Sequence, residues 1–131
     1  MQITRRQDAP TGTGPQATFT GTVQLSGFVQ AMAPGRTSAA TVTFEPCART
    51  AWHSHPAGQL LIVTEGEGWI QVEGEPKQVI RAGDTVVAAP GETHWHGATD
   101  GSSMTHIAIQ EAVDGSPVTW MAHVDDDQYL G

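Results

Sequence analysis

His53-x-His55-x-x-x-Gln59 and, thirty-five residues beyond that glutamine, His94-x-His96 gather five metal-capable side chains into two short stretches. Imidazole is the commonest neutral metal ligand, and zinc, manganese, iron or nickel needs three or four such donors converging on one point. Side chains at i and i+2 of a strand project to the same face. His53 and His55 therefore point together, as do His94 and His96, and two paired strands suffice to bring both pairs around one ion. Gln59 joins them by odd-even parity provided that no bulge intervenes. A neutral amide leaves the charge of a divalent ion uncompensated where a carboxylate would offset part of it, which makes such a site a strong Lewis acid.

Two further histidines stand beside this set. His96 shares the inward face with His94 and is either a general base or a residue that orients a ligand. His106 has the parity of Met104, Ala108 and Gln110, opposite Ile107 and Ile109; if the isoleucines pack outward, His106 faces the interior. Ala40, Val42, Leu61 and Val63 are candidates for an apolar pocket, against the plainer reading that they are ordinary core. Trp52 and Trp95 flank histidines but have the opposite parity, so they are expected to pack outside the site or at a subunit contact. Cys47 is expected in a turn after Pro46 with no base to activate its thiol, and His123 reads as a surface residue.

The elements that must position these residues are strands. Fifteen glycines and eight prolines punctuate short apolar runs, the pattern of an all-β chain with many turns. Residues 1–16 read as an N-terminal arm, 17–123 as a barrel and 124–131 as a C-terminal segment of one domain. Strands are expected over 17–30, 39–45, 59–65, 69–73, 78–81, 85–89, 94–98 and 104–111, with Gly66 and Gly68 breaking the third from the fourth and Gly74-Glu75-Pro76 turning the fourth into the fifth. A last extended segment, 118–123, leads to Asp125 and Gln128, spaced as a capping box for one short helical turn.

A net charge of -8 opposes binding to nucleic acid or to an anionic membrane surface. No apolar run approaches the length of a membrane span. One cysteine permits no internal disulfide and suits a reducing compartment. The Arg5-Arg6 pair lacks the apolar segment of an export signal behind it, so a cytoplasmic location is expected, with a small molecule as the ligand.

The two histidine stretches and their surroundings resemble the cupin superfamily over roughly residues 40 to 112. Its first motif runs from a glycine through His-x-His and an acidic ligand to a second glycine. His53, His55, Gln59 and Gly66 fall on it, with Cys47 in place of the leading glycine and Gln59 in place of the usual glutamate. In the second motif Gly83, Gly91 and His94 are in register and Pro90 is one position late. A narrower resemblance rests on Ala48-Arg49-Thr50-Ala51-Trp52-His53, Gly58-Gln59, His94-Trp95-His96-Gly97-Ala98 and Met104-Thr105-His106, which look like the small bacterial cupins that act as manganese-dependent hydroxynitrile lyases.

The resemblance implies a jelly-roll β-barrel and one divalent ion, manganese first and iron, zinc or nickel otherwise, on His53, His55, Gln59 and His94. It also implies His106 or His96 as the base that splits a cyanohydrin such as mandelonitrile into an aldehyde and hydrogen cyanide. A homodimer or homotetramer is implied by the same likeness, paired through sheet edges. Two other readings keep the barrel and change the function. One is a dioxygenase using ferrous iron. The other is a non-catalytic small-molecule-binding protein, associated with a carboxymuconolactone decarboxylase-type protein.

Overall fold

Short antiparallel strands joined by tight turns build this molecule, and the computed structural model describes all of residues 1–131. After a 3-10 turn at Arg6–Asp8, the strands are β1 (Thr11–Thr13), β2 (Phe19–Thr20), β3 (Val23–Gln30), β4 (Thr37–Phe44), β5 (Arg49–Thr50) and β6 (His53–Ser54). They continue with β7 (Gln59–Val72), β8 (Gln78–Arg81), β9 (Thr85–Ala88), β10 (His94–Ala98), β11 (Met104–Glu111) and β12 (Thr119–Trp120), before helix α1 (Asp126–Leu130). No helix is long and apolar enough to cross a membrane.

All pairings are antiparallel, and the main path through the curled sheet runs β1-β3-β4-β11-β7-β10-β5-β2. The N-terminal half of β7 pairs with β9 and β11, and its C-terminal half with β8 and β10. This strand therefore belongs to both halves of the barrel. A break at Gly66 and Gly68 was expected from sequence, but the strand runs through both. Gly66 has φ +75°, and a Cβ there would strike the carbonyl oxygen of Ser103; a Cβ on Gly68 would strike the sulfur of Met104. The two glycines let β7 bend and cross between sheets, a role glycine plays in strands at barrel corners.

Two other expectations change in the same way. Residues 11–13, expected within a loop, form an edge strand on β3 with Thr11 opposite Ser26. The single strand expected over 17–30 is two, because Gly21 turns the chain with φ +82° between β2 and β3. Cys47 lies exposed in its turn, as expected, and its φ of 72° is left-handed. That backbone explains why glycine suits this position of the motif; a side chain there costs roughly 1–2 kcal/mol.

Inside the barrel, Val23, Val42, Phe44, Ala48, Val63, Ile80, Ala98 and Met104 form one buried cluster. A second, of Trp95, Val124 and Tyr129 with Trp52 and Trp69 against it, lies where the C-terminal segment covers the outer side of β10. Trp52 and Trp95 thus pack outside the histidine cluster, as their parity predicts. Burying an aromatic ring removes roughly 150–250 Å² from water, on the order of 4–6 kcal/mol before the entropy of ordering is subtracted. The segment is held by α1, whose N-cap Asp125 accepts from the Gln128 amide while Gln128 reaches back to the Asp125 amide, the reciprocal box expected from sequence. Tyr129 donates its hydroxyl to the Ala98 carbonyl at 2.6 Å. Arg49, buried beneath, donates to the carbonyls of Val124 and Cys47 and lies 4.4 Å over the Tyr129 ring.

Candidate metal centre and cavity

Short strands bring the histidines together. His53 of β6 stands opposite His94 of β10 in register, and their rings are 4.4 Å apart between centroids. His55 follows β6 directly, with its ring 5.1 Å from that of His53. Gln59 does not continue their strand: Pro56-Ala57-Gly58 turns the chain, with φ +79° at Gly58, and Gln59 enters the site as the first residue of β7. His96 follows His94 on the same face of β10, its ring stacked at 5.6 Å. All five are buried, as is His106 of β11.

Burial decides their protonation. Loss of solvent drives His53 down to about 3, helped by the neighbouring His94, and drives His106 down to about 4. It also lowers His55 and His94, and pushes His96 well below the ordinary range with His106 adding to the effect. At neutral pH each imidazole is uncharged and carries one N–H and one lone pair. For three of them a backbone carbonyl chooses which nitrogen keeps the proton. Nδ1 of His53 donates to Ala51 at 2.9 Å, Nδ1 of His55 to Pro117 at 2.8 Å and Nδ1 of His94 to Glu92 at 2.9 Å. Their Nε2 atoms are then bare lone pairs facing inward.

A chain of amides orients the fourth group. Gln110 donates to the Ser38 hydroxyl at 3.1 Å, and its oxygen accepts from the Gln59 amide nitrogen at 3.2 Å. The Gln59 oxygen is left pointing at the site, 3.2 Å from His94 Nε2. An amide oxygen and a neutral Nε2 are both acceptors, so this contact has no proton to share. His55 Nε2 is buried with no hydrogen-bond partner at all. Lone pairs converging in a dry volume without a donor are costly unless a cation sits among them. The donor set fits a borderline divalent metal. By proximity, one ring nitrogen each from His53, His94 and His96 lie within 4.8 Å of one another, so these three are positioned to bind a metal. Proximity and lone-pair direction differ over His55 and His96. Backbone carbonyls anchor His53, His55 and His94 but not His96.

His96 has another partner. Its Nδ1 lies 3.1 Å from His106 Nε2, and the remaining nitrogens of the pair, His96 Nε2 and His106 Nδ1, are buried without partners. One N–H therefore lies between the two rings, and the second proton of the neutral pair sits on the unpartnered nitrogen of whichever ring accepts. Both rings line a cavity of about 160 Å³ whose floor is also set by His53, His55 and Gln59. Ala40, Val42 and Phe44 of β4 form one wall, and Ala108 and Gln110 of β11 continue from His106. Ile107 and Ile109 have the opposite parity, as expected.

Ala40 and Val42 thus meet the void, whereas Leu61 and Val63 do not line it. Both are buried to 1 % exposure, and Val63 packs with Val42, Ile80 and Met104 in the barrel core. Parity predicts that they point inward but not how deep, and inward side chains of a small barrel mostly fill it. Thr50 also lines the cavity, its hydroxyl accepting from the His96 amide at 3.2 Å. Phe19, Pro117, Val118 and Trp120 close the mouth from the two ends of the chain, and nothing local in the sequence marks them. Gln110 and Ala108 were marked by their parity with His106. His123 stays outside the cavity, near the Thr20 hydroxyl at 3.5 Å.

The barrel and its inward histidines define the class: the chain belongs to the cupin domain family, whose pattern it matches over residues 40–109. Among particular relatives, it is 54% identical over 129 residues to an (R)-mandelonitrile lyase of Granulicella tundricola, covering 98% of both chains. A cupin-like protein of Thermotoga maritima superposes with TM-score 0.84 at 37% identity, over 98% of this chain and 95% of that one. A predicted oxalate decarboxylase of Thermotoga maritima, 18% identical over 86% of this chain and all of the other, shares the fold with TM-score 0.72.

Proposed function

We propose that the protein is a metal-dependent hydroxynitrile lyase, with (R)-mandelonitrile or a related cyanohydrin as substrate. The observation that carries the proposal is the His96–His106 pair, two hydrogen-bonded imidazoles held between the donor cluster and an apolar cavity. Similarity along almost the whole chain to an (R)-mandelonitrile lyase supports the same reading. The ligands in this reading are His53, His55, Gln59 and His94, three imidazoles anchored through Nδ1 and an amide oriented by Gln110. Manganese is the first candidate for the ion, which when bound would lower the pKa of a hydroxyl and offset the charge of a departing anion.

The chain's own residues perform the proton transfers. The cyanohydrin hydroxyl lies against the imidazole pair, and His106 or His96, neutral at pH 7, accepts its proton. The electron pair of the O–H bond forms the carbonyl as the C–C bond breaks, and the cyanide carbon keeps the bonding pair. The proton returned from the imidazolium converts cyanide to hydrogen cyanide, so no oxidant or reductant is needed. Phe44 and Val42 keep water from the pair. A void of about 150 Å³ holds a benzene-sized ligand, which matches an aryl group here.

The test is benzaldehyde release from racemic mandelonitrile at mildly acidic pH, where the spontaneous reaction is slow, with chiral analysis of what remains. Manganese-loaded protein should consume one enantiomer, and chelated protein and His53→Ala should not. Replacing the true base with alanine should lower turnover by about 10²- to 10⁴-fold with metal content unchanged. No release from fully loaded protein would overturn the proposal.

A further inference from the structure

The cavity mouth is a more specific structure than a hydrophobic opening. β12 is two residues long and pairs only with β6, setting Trp120 opposite His53. The Trp120 ring lies 4.8 Å from the His53 ring, yet the residue remains 39% exposed, so it meets both the site and the solvent. Phe19 of β2 leans on it at 5.9 Å and 55°, and on Phe44 at 6.2 Å and 51°. Phe44 is fully buried, 5.3 Å from His106 and edge-on to His96 at 6.0 Å. Trp120, Phe19 and Phe44 therefore form one aromatic arc from solvent to the imidazole pair. Ala40 and Val42, on the same strand and face as Phe44, and Ala108 of β11 continue the lining with small side chains.

We propose that Trp120 and Phe19 are an aryl-binding lip that sets the preference for aromatic over aliphatic substrates; this rests on the hydroxynitrile lyase reading. Tilted rings offer an incoming ring edge-to-face and offset contacts, which an alkyl chain of similar size cannot reproduce. With the hydroxyl placed against the imidazole pair, the aryl substituent extends along the arc toward the lip, away from the breaking bond. The lip's contribution is the same in the ground and transition states, so it acts on KM more than on kcat.

The experiment measures kcat/KM of manganese-loaded protein for mandelonitrile and for acetone cyanohydrin, with metal content determined on every sample. Each truncation, Trp120→Ala or Phe19→Ala, should lower the aromatic-to-aliphatic ratio roughly 3- to 10-fold, mainly through the KM for mandelonitrile, as expected for loss of one or two aromatic contacts. Trp120→Phe should restore most of it. Because Trp120 packs on His53, loss of metal in Trp120→Ala would shift the decision to Phe19→Ala, which touches no ligand. Calorimetric binding of benzaldehyde and of butanal provides a readout independent of turnover. Selective loss of benzaldehyde affinity in the variants of a protein that cleaves no cyanohydrin would keep the lip and reject the lyase. Equal loss for aromatic and aliphatic substrates in an active lyase, or unchanged benzaldehyde affinity, would overturn the lip.

Discussion

Arg49→Met should destabilise the protein far more than Asp126→Ala, although the two residues form an ion pair at 2.9 Å. The guanidinium is 4% exposed on its side chain and the carboxylate 85%. Asp126 is well solvated, so its half of the pair contributes about 0–1 kcal/mol. The guanidinium does more: Nε and Nη2 donate to the Val124 carbonyl at 3.2 and 2.8 Å, and Nη1 to Cys47 at 3.1 Å. Methionine keeps the apolar stem but leaves the Val124 carbonyl, on a residue 1% exposed, without a donor. That costs about 1–3 kcal/mol, and losing the face of Tyr129 about 0.5–2 kcal/mol more. A total of roughly 2–5 kcal/mol corresponds to a fall in Tm on the order of 6–20 °C for a chain of this size. Urea and thermal unfolding of both single variants and the double variant, all metal-free, supply the measurement. If Asp126→Ala is as damaging as Arg49→Met, the ion pair and not the carbonyl bonds holds the C-terminal segment, and the reasoning is wrong.

Gln110→Leu removes the acceptor that orients the Gln59 amide and should weaken metal affinity about 10- to 100-fold, read by competition with a chelator; unchanged affinity would exclude Gln59 as an oriented ligand. Metal-stripped protein should lose stability as pH falls below about 6.5 toward 4, because His53 and His106, held down to about 3 and 4, stay neutral in the fold while the unfolded chain takes up their protons. Each contributes about 1.4 kcal/mol per pH unit in that window and nothing above it, so equal urea midpoints at pH 7 and 5 would refute the assignment. Gly66→Ala should cost at least about 3 kcal/mol, since its Cβ meets a carbonyl at positive φ. Gly74→Ala has the same sign of φ in open space and should cost roughly 1 kcal/mol; comparable soluble yields of the two would contradict the crossing role of β7.

Local pattern made much of this legible. β10 and β11 keep the bounds expected of them, because β10 pairs with β7 at every residue and β11 with β4 at every residue. The Asp125–Gln128 box is visible for the opposite reason, being closed within four residues. Glycine misled at Gly66 and Gly68, where the same residue that ends a strand elsewhere allows one to pass between sheets. Gln59 shares the odd-even parity of His53 and His55, yet a turn and not a common strand brings it to them. Leu61 and Val63 show that facing inward differs from facing a void. Trp120 and Phe19 carried no local signal, because their position depends on which distant strands they meet.

The mouth of the cavity is made by Phe19 and Trp120, which come from opposite ends of the chain, whereas the inward histidines all lie within the central stretch matched by the family. The proposed ligands and the two lip residues therefore occupy separate stretches of sequence. Mutations at Phe19 can reshape what is admitted without altering a contact to the ligands, whereas the 117–120 segment also carries the Pro117 carbonyl that anchors His55 and the Trp120 ring that packs on His53. The chamber is complete only when β12, the last strand, pairs with β6 over it.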